Sequence, residues 1–194
     1  MTEIICLLLA YAAGSISSAV LVCRVLGLPD PRGEGSGNPG ATNVMRIGGK
    51  GAAAATLAGD AGKGLLPTAL AALLVGTEGA VAACALGSFM GHLWPIWFQF
   101  KGGKGVATAL GALFGTSLLV GVLAGATWLA MALAFRISSL AALATFAAVP
   151  AYLYMSTGSA LLTASFTVIA VMLFFRHRDN IGRLVRGEES RIGG

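Results

Sequence analysis

The most informative absence in this 194-residue sequence is charge. Only 11% of its residues are Asp, Glu, Lys or Arg, against about 25% in an ordinary soluble domain. Apolar residues make up 56% of the chain, and the mean hydropathy is +0.82. A soluble fold could not cover its surface with so few polar groups, the apolar content excludes disorder, and collagen is excluded because no Gly-X-Y period is present. The composition therefore predicts an all-α, polytopic membrane helix bundle.

Cysteine is also scarce. The three cysteines, at positions 6, 23 and 84, lie inside apolar segments without Cys-x-x-Cys spacing or a neighbouring histidine. We therefore predict neither a metal site nor a disulfide. The formal net charge of +5 comes from basic residues that stand between apolar spans, so it indicates membrane topology rather than binding of nucleic acid.

Long apolar runs mark the membrane segments, because a transmembrane helix needs about 20 apolar residues. Five such runs cover residues 4–23, 51–75, 79–98, 105–135 and 137–175. Each of the last two is long enough for a hairpin, with turns expected at 115–121 and 156–159. We therefore predict seven transmembrane helices in a single domain, residues 1–194.

Basic residues predict the orientation of these spans. With seven spans and the N-terminus outside, the outer connections contain no Lys or Arg, and all thirteen basic residues lie on or near the inner side. Six spans would place the C-terminal arginines outside. The C-terminus is therefore expected in the cytoplasm. Equal division of residues 105–135 gives two helices of about 15 residues, each rising only about 22 Å.

The first of three polar islands on the inner side is residues 33–46. Four glycines within residues 33–40 allow the backbone to turn its N–H groups inward as an anion nest. Arg46 adds a planar guanidinium suited to phosphate. A flexible linker is the alternative, but it does not explain the polar side chains that precede this arginine, which are Ser36, Asn38, Thr42 and Asn43.

The second island, residues 101–108, reads Lys-Gly-Gly-Lys-Gly-Val-Ala-Thr. Its glycines lead into a helix, so the loop and the helix N-terminus could together hold a phosphate. Gly105 follows Lys104 where a Walker A loop has Ser or Thr, so nucleotide hydrolysis is not supported. The alternative is a pair of lysines that anchor the span on the inner side.

The third island follows the last span. If the helix continues inward, His177, Asn180 and Arg183 stand three residues apart and share a face. Histidine can exchange protons near neutral pH. A basic tail is the alternative, and it explains the arginines but neither His177 nor Asn180.

Polar residues outside the islands each allow two interpretations. Asp60 and Lys63 stand three apart and are expected to pair, but an ionisable pair at membrane depth is also a site candidate. His92, near the inner end of the third span, is either a packed helix-end histidine or a catalytic group. Ser138 and Ser139 stand at the remaining inner turn, where a helix N-cap is the simpler explanation.

Together the three islands resemble the motifs of the bacterial acyl-phosphate:glycerol-3-phosphate acyltransferases, integral membrane enzymes that start phospholipid synthesis. Residues 35–43 with Arg46 are similar to the first motif, and residues 101–108 to the second. The third motif is similar to His177-Arg178-x-Asn180, with Gly187-x-Glu189 after it. The resemblance covers nearly the whole chain.

The resemblance implies acyl transfer from acyl phosphate to the 1-hydroxyl of glycerol 3-phosphate, which yields lysophosphatidic acid and phosphate. It implies seven transmembrane helices in the bacterial inner membrane, an active site that faces the cytoplasm, contact with membrane lipid, and no cofactor. The oligomeric state is left open, and a monomer is compatible with the sequence.

The resemblance also implies roles for individual residues. The expected catalytic residues are Ser36, Arg46, Lys104, His177 and Asn180. The expected substrate-binding residues are Gly37, Asn38, Thr42, Asn43, Lys101, Gly102, Gly103, Gly105 and Ser139. Glu189 is expected to be structural. Either His177 or a phosphate oxygen of the substrate would act as the base.

Two rival classes fit the sequence less well. Thioester-dependent glycerolipid acyltransferases carry His-x-x-x-x-Asp, but Trp97 and Gly182 stand five residues after the two histidines. A membrane anion transporter is the second interpretation of the whole chain. Transporters place their binding groups near the membrane midplane, whereas the polar residues here gather on one face.

Overall fold

The structure, a computed structural model, describes residues 1–192. All regular elements in this range are helical, which confirms the predicted all-α class. The α-helices of this range are α1 (Thr2–Gly14), α2 (Ser18–Val25), α3 (Ala41–Leu70), α4 (Glu78–Leu93), α5 (Val106–Thr116), α6 (Leu118–Phe135), α7 (Ser138–Thr157), α8 (Ala160–Arg176) and α9 (Arg178–Val185). A π-helical turn, Ala71–Val75, extends α3, and a 3-10 turn, Ile96–Phe98, follows α4.

Both long apolar runs are divided within the predicted turn ranges. Helices α5 and α6 meet at Ser117, where the backbone is extended, and α7 and α8 meet at Gly158, whose φ is +65°. The first division is unequal, because α5 has 11 residues and α6 has 18, rather than about 15 each. Helix α3 is also interrupted, at Gly49, where φ is +77°.

Apolar length identifies several membrane-crossing candidates in the described range. Four segments are long and apolar enough, namely Thr2–Val25, Glu78–Phe98, Leu118–Phe135 and Ser138–Thr157. Helices α8 and α9 together form a fifth candidate that is bent by 60°. Helix α5 is apolar but short, and α3 contains Asp60 and Lys63.

The turns that join the helices gather at two ends of the bundle. At one end, the Ser159 hydroxyl donates a 2.7 Å hydrogen bond to Glu78, and the Glu3 side chain lies against Gly79. At the other end, the loops before α3, before α5 and after α8 border one cavity. Helices α3 and α4 therefore form one hairpin, α5 and α6 a second, and α7 and α8 a third.

An apolar core joins the helices that support the cavity. It lies between α4, α5, α6, α7 and α8. Its largest fully buried side chains are Phe89, Leu93, Leu113, Val120, Phe146, Val149, Leu153, Phe166, Ile169 and Leu173. Many large apolar side chains outside this core are exposed, as expected for helix faces that contact lipid.

Helices α3 and α5 cross at close range because glycines stand at the contact. A Cβ atom on Gly64 would overlap the backbone of Thr108, and one on Gly111 would overlap the backbone of Ala61. Small residues allow such close approach between membrane helices. The crossing fixes where α5, and the glycine loop that precedes it, lie relative to α3.

This contact predicts opposite effects for one substitution at two positions of α3. Gly64→Ala should lower the free energy of unfolding by about 1–3 kcal/mol, because backbone atoms must move apart. Gly62→Ala is the matched control. A Cβ there meets no neighbouring atom, so it should leave stability unchanged or raise it by up to about 1 kcal/mol.

Thermal unfolding of the purified variants in detergent measures both effects. Equal Tm values for the two variants would show that the α3–α5 contact is looser than described.

Candidate active site

Asn43, in the first turn of α3, holds the shape of the loop that precedes this helix. Its side-chain amide donates hydrogen bonds of 2.9 Å to the carbonyls of Pro31 and Glu34, and its Oδ1 accepts one of 2.9 Å from the Ser36 N–H. A Cβ on Gly35 would overlap this oxygen. The hydrogen-bonding groups of Asn43 are thus used within the loop, and its predicted contact with substrate stays a prediction.

The glycine loop, residues 101–105, packs against the end of α4 and against the first loop. The Gly103 N–H donates to the His92 carbonyl at 3.2 Å, and a Cβ on Gly103 would lie close to the Pro39 carbonyl. The Arg176 guanidinium donates to the Gly102 carbonyl at 3.1 Å and to the Gly103 carbonyl at 3.0 Å. Gly105 reaches φ +85° directly before α5, which is a conformation that glycine tolerates.

Lys104 and Asn180 connect the second and third islands. The Lys104 ammonium donates a 2.5 Å hydrogen bond to Asn180 Oδ1, and Asn180 Nδ2 donates to Glu189 at 2.6 Å. Glu189 also accepts hydrogen bonds from Ser139 at 2.9 Å and from Arg183 at 2.6 Å. One carboxylate therefore joins the C-terminal segment, α9 and the start of α7.

This network changes the acidity of its members. Burial raises the pKa of Glu189, but the hydrogen bonds from Asn180, Arg183 and Ser139 outweigh it and hold the pKa below its usual value. Burial lowers the pKa of Lys104. Glu189 is thus ionised at neutral pH, and its contacts support the structural role that was predicted for it.

His177 is nearly fully buried between α8 and α9. Its Nδ1 lies 2.8 Å from the Leu173 carbonyl oxygen. Because a carbonyl can only accept, we assign the ring proton to Nδ1, which leaves Nε2 as an acceptor. Burial lowers the pKa of His177 to about 4, so the ring is neutral at physiological pH.

Arg46 and the two serines at the start of α7, Ser138 and Ser139, complete the surroundings. The Arg46 guanidinium donates a 2.8 Å hydrogen bond to the Ser190 hydroxyl. The hydroxyls of Thr42 and Ser138 lie 3.4 Å apart. Neither serine is the N-cap of α7, since Ile137 holds that position without a side-chain bond. The capping explanation for the two serines is therefore wrong.

These groups surround one cavity of about 810 Å³. All five expected catalytic residues border it. So do Glu189 and most of the expected substrate-binding residues, namely Gly37, Asn38, Thr42, Asn43, Gly102, Gly105 and Ser139. Lys101 borders a smaller neighbouring cavity of about 340 Å³ instead, and Gly103 is buried within the glycine loop and borders neither cavity.

Sequence reasoning missed several residues of the cavity wall. Arg176 holds the glycine loop, but in the sequence it looks like an anchor at the end of a span. Trp128 lies in a uniformly apolar helix with no neighbouring polar motif. Asp60 and His92 had been left open between packing and function, and both border the cavity. The expected pairing of Asp60 with Lys63 is confirmed, at 2.8 Å.

The fold and the cavity define a helical membrane protein with one strongly basic cavity at an end of its bundle. The chain belongs to the glycerol-3-phosphate acyltransferase family, whose sequence profile matches residues 4–187. Among curated relatives, the glycerol-3-phosphate acyltransferase of Methylococcus capsulatus is 53% identical, over 95% of this chain and 93% of the relative. That of Halorhodospira halophila is 50% identical, over 100% and 98%.

Solved structures agree with this assignment. The chain is similar to PlsY (YgiH), an integral membrane glycerol 3-phosphate acyltransferase, in its glycerol 3-phosphate form. The TM-score is 0.93 at 34% identity, and the match covers 100% of this chain and 96% of that one. The lysophosphatidic acid form of PlsY gives a TM-score of 0.90 at 33% identity, with the same coverage.

The Glu189 network predicts different effects for two neighbouring acidic residues. Glu189→Gln should reduce acyltransferase activity tenfold or more, because hydrogen bonds to a buried charged group contribute about 1.5–3 kcal/mol each. Glu188→Gln is the control, since Glu188 is exposed and pairs with Arg186. Steady-state rates of the two variants test this, and equal rates would contradict the proposed importance of the network.

His177 predicts a pH dependence of stability. Its pKa is about 4 in the folded chain and about 6.5 in an unfolded one. Between these values the unfolded chain binds the proton first, so the free energy of unfolding falls as pH drops from 6.5 to 4. Tm measured over this range in detergent should fall less steeply for His177→Gln than for the parent chain. Identical slopes would contradict the low pKa.

Proposed function

We propose that the chain transfers an acyl group from acyl phosphate to the 1-hydroxyl of glycerol 3-phosphate. The products are lysophosphatidic acid and phosphate, and this is the first step of phospholipid synthesis. The cavity faces the cytoplasm from a bacterial inner membrane. One observation carries this proposal: three separate polar islands meet around a single cavity, in a chain whose family acts on glycerol 3-phosphate.

We further propose seven membrane spans, with α1 and α2 acting as one broken span. Support comes from the loops, because those before α3, before α5 and after α8 border the same cavity. The chain must leave this end and return to it between successive loops. The connections at the other end, 76–78, 117 and 158–159, contain no Lys or Arg, which supports a cytoplasmic cavity and an outside N-terminus.

Both proposed substrates carry phosphate, and the cavity wall suits two such groups. Arg46 provides positive charge from the start of α3 and Lys104 from the glycine loop, and both border the cavity. An acyl phosphate is already activated, so the reaction needs no covalent intermediate. The protein's task is to hold the hydroxyl next to the carbonyl carbon and to stabilise the charge that develops on the oxygens.

The chemical step moves one acyl group and one proton. The 1-hydroxyl oxygen bonds to the carbonyl carbon, the bond from that carbon to the phosphate oxygen breaks, and phosphate leaves. We propose that a phosphate oxygen takes the hydroxyl proton. A phosphate monoester has a second pKa near 6, whereas His177 has a pKa of about 4 and is the weaker base. Nε2 of His177 then acts as a hydrogen-bond acceptor that orients a reactant.

This function predicts the choice of acyl donor. The full chain in detergent, given radiolabelled glycerol 3-phosphate and palmitoyl phosphate, should form labelled lysophosphatidic acid. Palmitoyl thioesters should give little product, because the cavity is proposed to bind the phosphate of the donor. Efficient use of thioesters would contradict the proposed donor.

Two further comparisons sharpen this assay. Lys104→Met should reduce the rate at least 100-fold. Lys50 is an exposed lysine away from the cavity, so Lys50→Met should leave the rate unchanged.

An anion transporter would move glycerol 3-phosphate into sealed vesicles without converting it, and that outcome would exclude the proposed reaction.

A further inference from the structure

Three buried ionisable residues beside the cavity have no part in the chemistry described above. Asp60 and Lys63 lie on α3 and His92 lies at the end of α4. The Lys63 ammonium is 2.8 Å from Asp60 Oδ1 and donates a 2.7 Å hydrogen bond to the Ile16 carbonyl. Ionisable residues inside membrane helices are costly and usually functional, so this cluster requires an explanation.

The His92 ring lies between Asp60 and the glycine loop. Its Nδ1 is 3.6 Å from Asp60 Oδ1. Its Nε2 borders Gly103 so closely that a Cβ on that residue would overlap it. Both Asp60 and His92 form part of the cavity wall. The two ring nitrogens therefore face different partners, one a carboxylate and the other the loop.

The partners determine which nitrogen carries the proton. The 3.6 Å between Nδ1 and Asp60 Oδ1 is longer than a hydrogen bond. A carboxylate at this distance attracts an N–H and repels a lone pair, so we assign the ring proton to Nδ1. Lys63 already balances the charge of Asp60, so the ring stays neutral. A neutral ring with its proton on Nδ1 has a lone pair on Nε2, which accepts a hydrogen bond from a hydroxyl and repels a phosphate oxygen.

We propose that His92 is a specificity-determining residue whose Nε2 accepts a hydrogen bond from a hydroxyl of glycerol 3-phosphate bound beside the glycine loop. Asp60 and Lys63 are positioning residues that hold the neutral ring with its proton on Nδ1. This inference rests on the proposed function, because it assumes that glycerol 3-phosphate is the acceptor substrate. It explains how a basic cavity distinguishes a polyol phosphate from other small phosphates.

The experiment compares two ligands with the same charged group. Glycerol 3-phosphate and n-propyl phosphate share a three-carbon phosphate ester, but the latter has no hydroxyl. Calorimetric titration of the full chain in detergent should show that the parent binds glycerol 3-phosphate about tenfold more tightly, as expected for one good hydrogen bond. Equal affinities in the parent chain would overturn the proposal without any variant.

A pair of similarly sized substitutions then tests His92 itself. His92→Met removes this acceptor, so the preference should fall several-fold while the affinity for n-propyl phosphate stays unchanged. His92→Gln can present an amide oxygen and should keep part of the preference. If His92 were merely structural, His92→Met would weaken both ligands equally, and that result would overturn the proposal.

Ser88→Ala is the matched control. Ser88 is buried one turn earlier on α4, and its hydroxyl bonds to the Ala85 carbonyl, so the preference should not change. Asp60→Asn is a second test if both His92 variants prove unstable. Nδ2 of the new asparagine can donate to Nδ1 of His92, which shifts the ring proton to Nε2 and removes the acceptor for the substrate hydroxyl. An unchanged preference in Asp60→Asn would contradict its positioning role.

Failure of this inference is distinguishable from failure of the proposed function. The titrations need no acyl donor and no turnover. A chain that forms labelled lysophosphatidic acid but keeps its hydroxyl preference in His92→Met has the proposed activity without the proposed role for His92. A chain that loses the hydroxyl preference in His92→Met but forms no lipid product has the proposed binding role of His92 without the proposed activity.

Discussion

The structure depends above all on holding many positive charges around one cavity. Six basic residues border it, namely Arg46, Lys104, Arg176, Arg178, Arg183 and Arg191, against three acidic ones, Asp60, Asp179 and Glu189. Like charges at such distances repel, and the low dielectric of a helix bundle strengthens the repulsion. The cations next to the reaction therefore each need a partner from another segment, and these partnerships join the three polar islands.

Most of those partners are neutral. Lys104 has the amide oxygen of Asn180, Arg176 has two glycine carbonyls, and Arg46 has the hydroxyl of Ser190. A carboxylate in the same positions would neutralise each cation and compete with a phosphate ligand. Neutral acceptors hold the side chain in place and leave its charge available. The one carboxylate at the centre of the network, Glu189, pairs instead with Arg183.

The sequence predicted the features that depend on local chemistry. The helical class and the two turns, at Ser117 and Gly158, follow from apolar run length and from turn residues. The pairing of Asp60 with Lys63 follows from their helical spacing.

Contacts between helices could not be predicted from the sequence in this way. His92 stands 32 residues after Asp60, and their approach depends on how α3 and α4 pack. The hydrogen bonds by which Asn43 holds the loop before α3 depend on backbone geometry that composition alone does not define.

The C-terminal segment adds a final consequence of the neutral partners. Ser190 accepts a hydrogen bond from Arg46. The Ile192 N–H donates to the Arg136 carbonyl, and the Arg136 guanidinium donates to the Ile192 carbonyl. A phosphate oxygen is a stronger acceptor for guanidinium than a hydroxyl is. Under the proposed function, we therefore expect a phosphate of the substrate to take the place of Ser190. Glu189, one residue earlier, is bound separately to Asn180 and Arg183. Release of Arg46 by Ser190 would therefore require none of the Glu189 bonds to break.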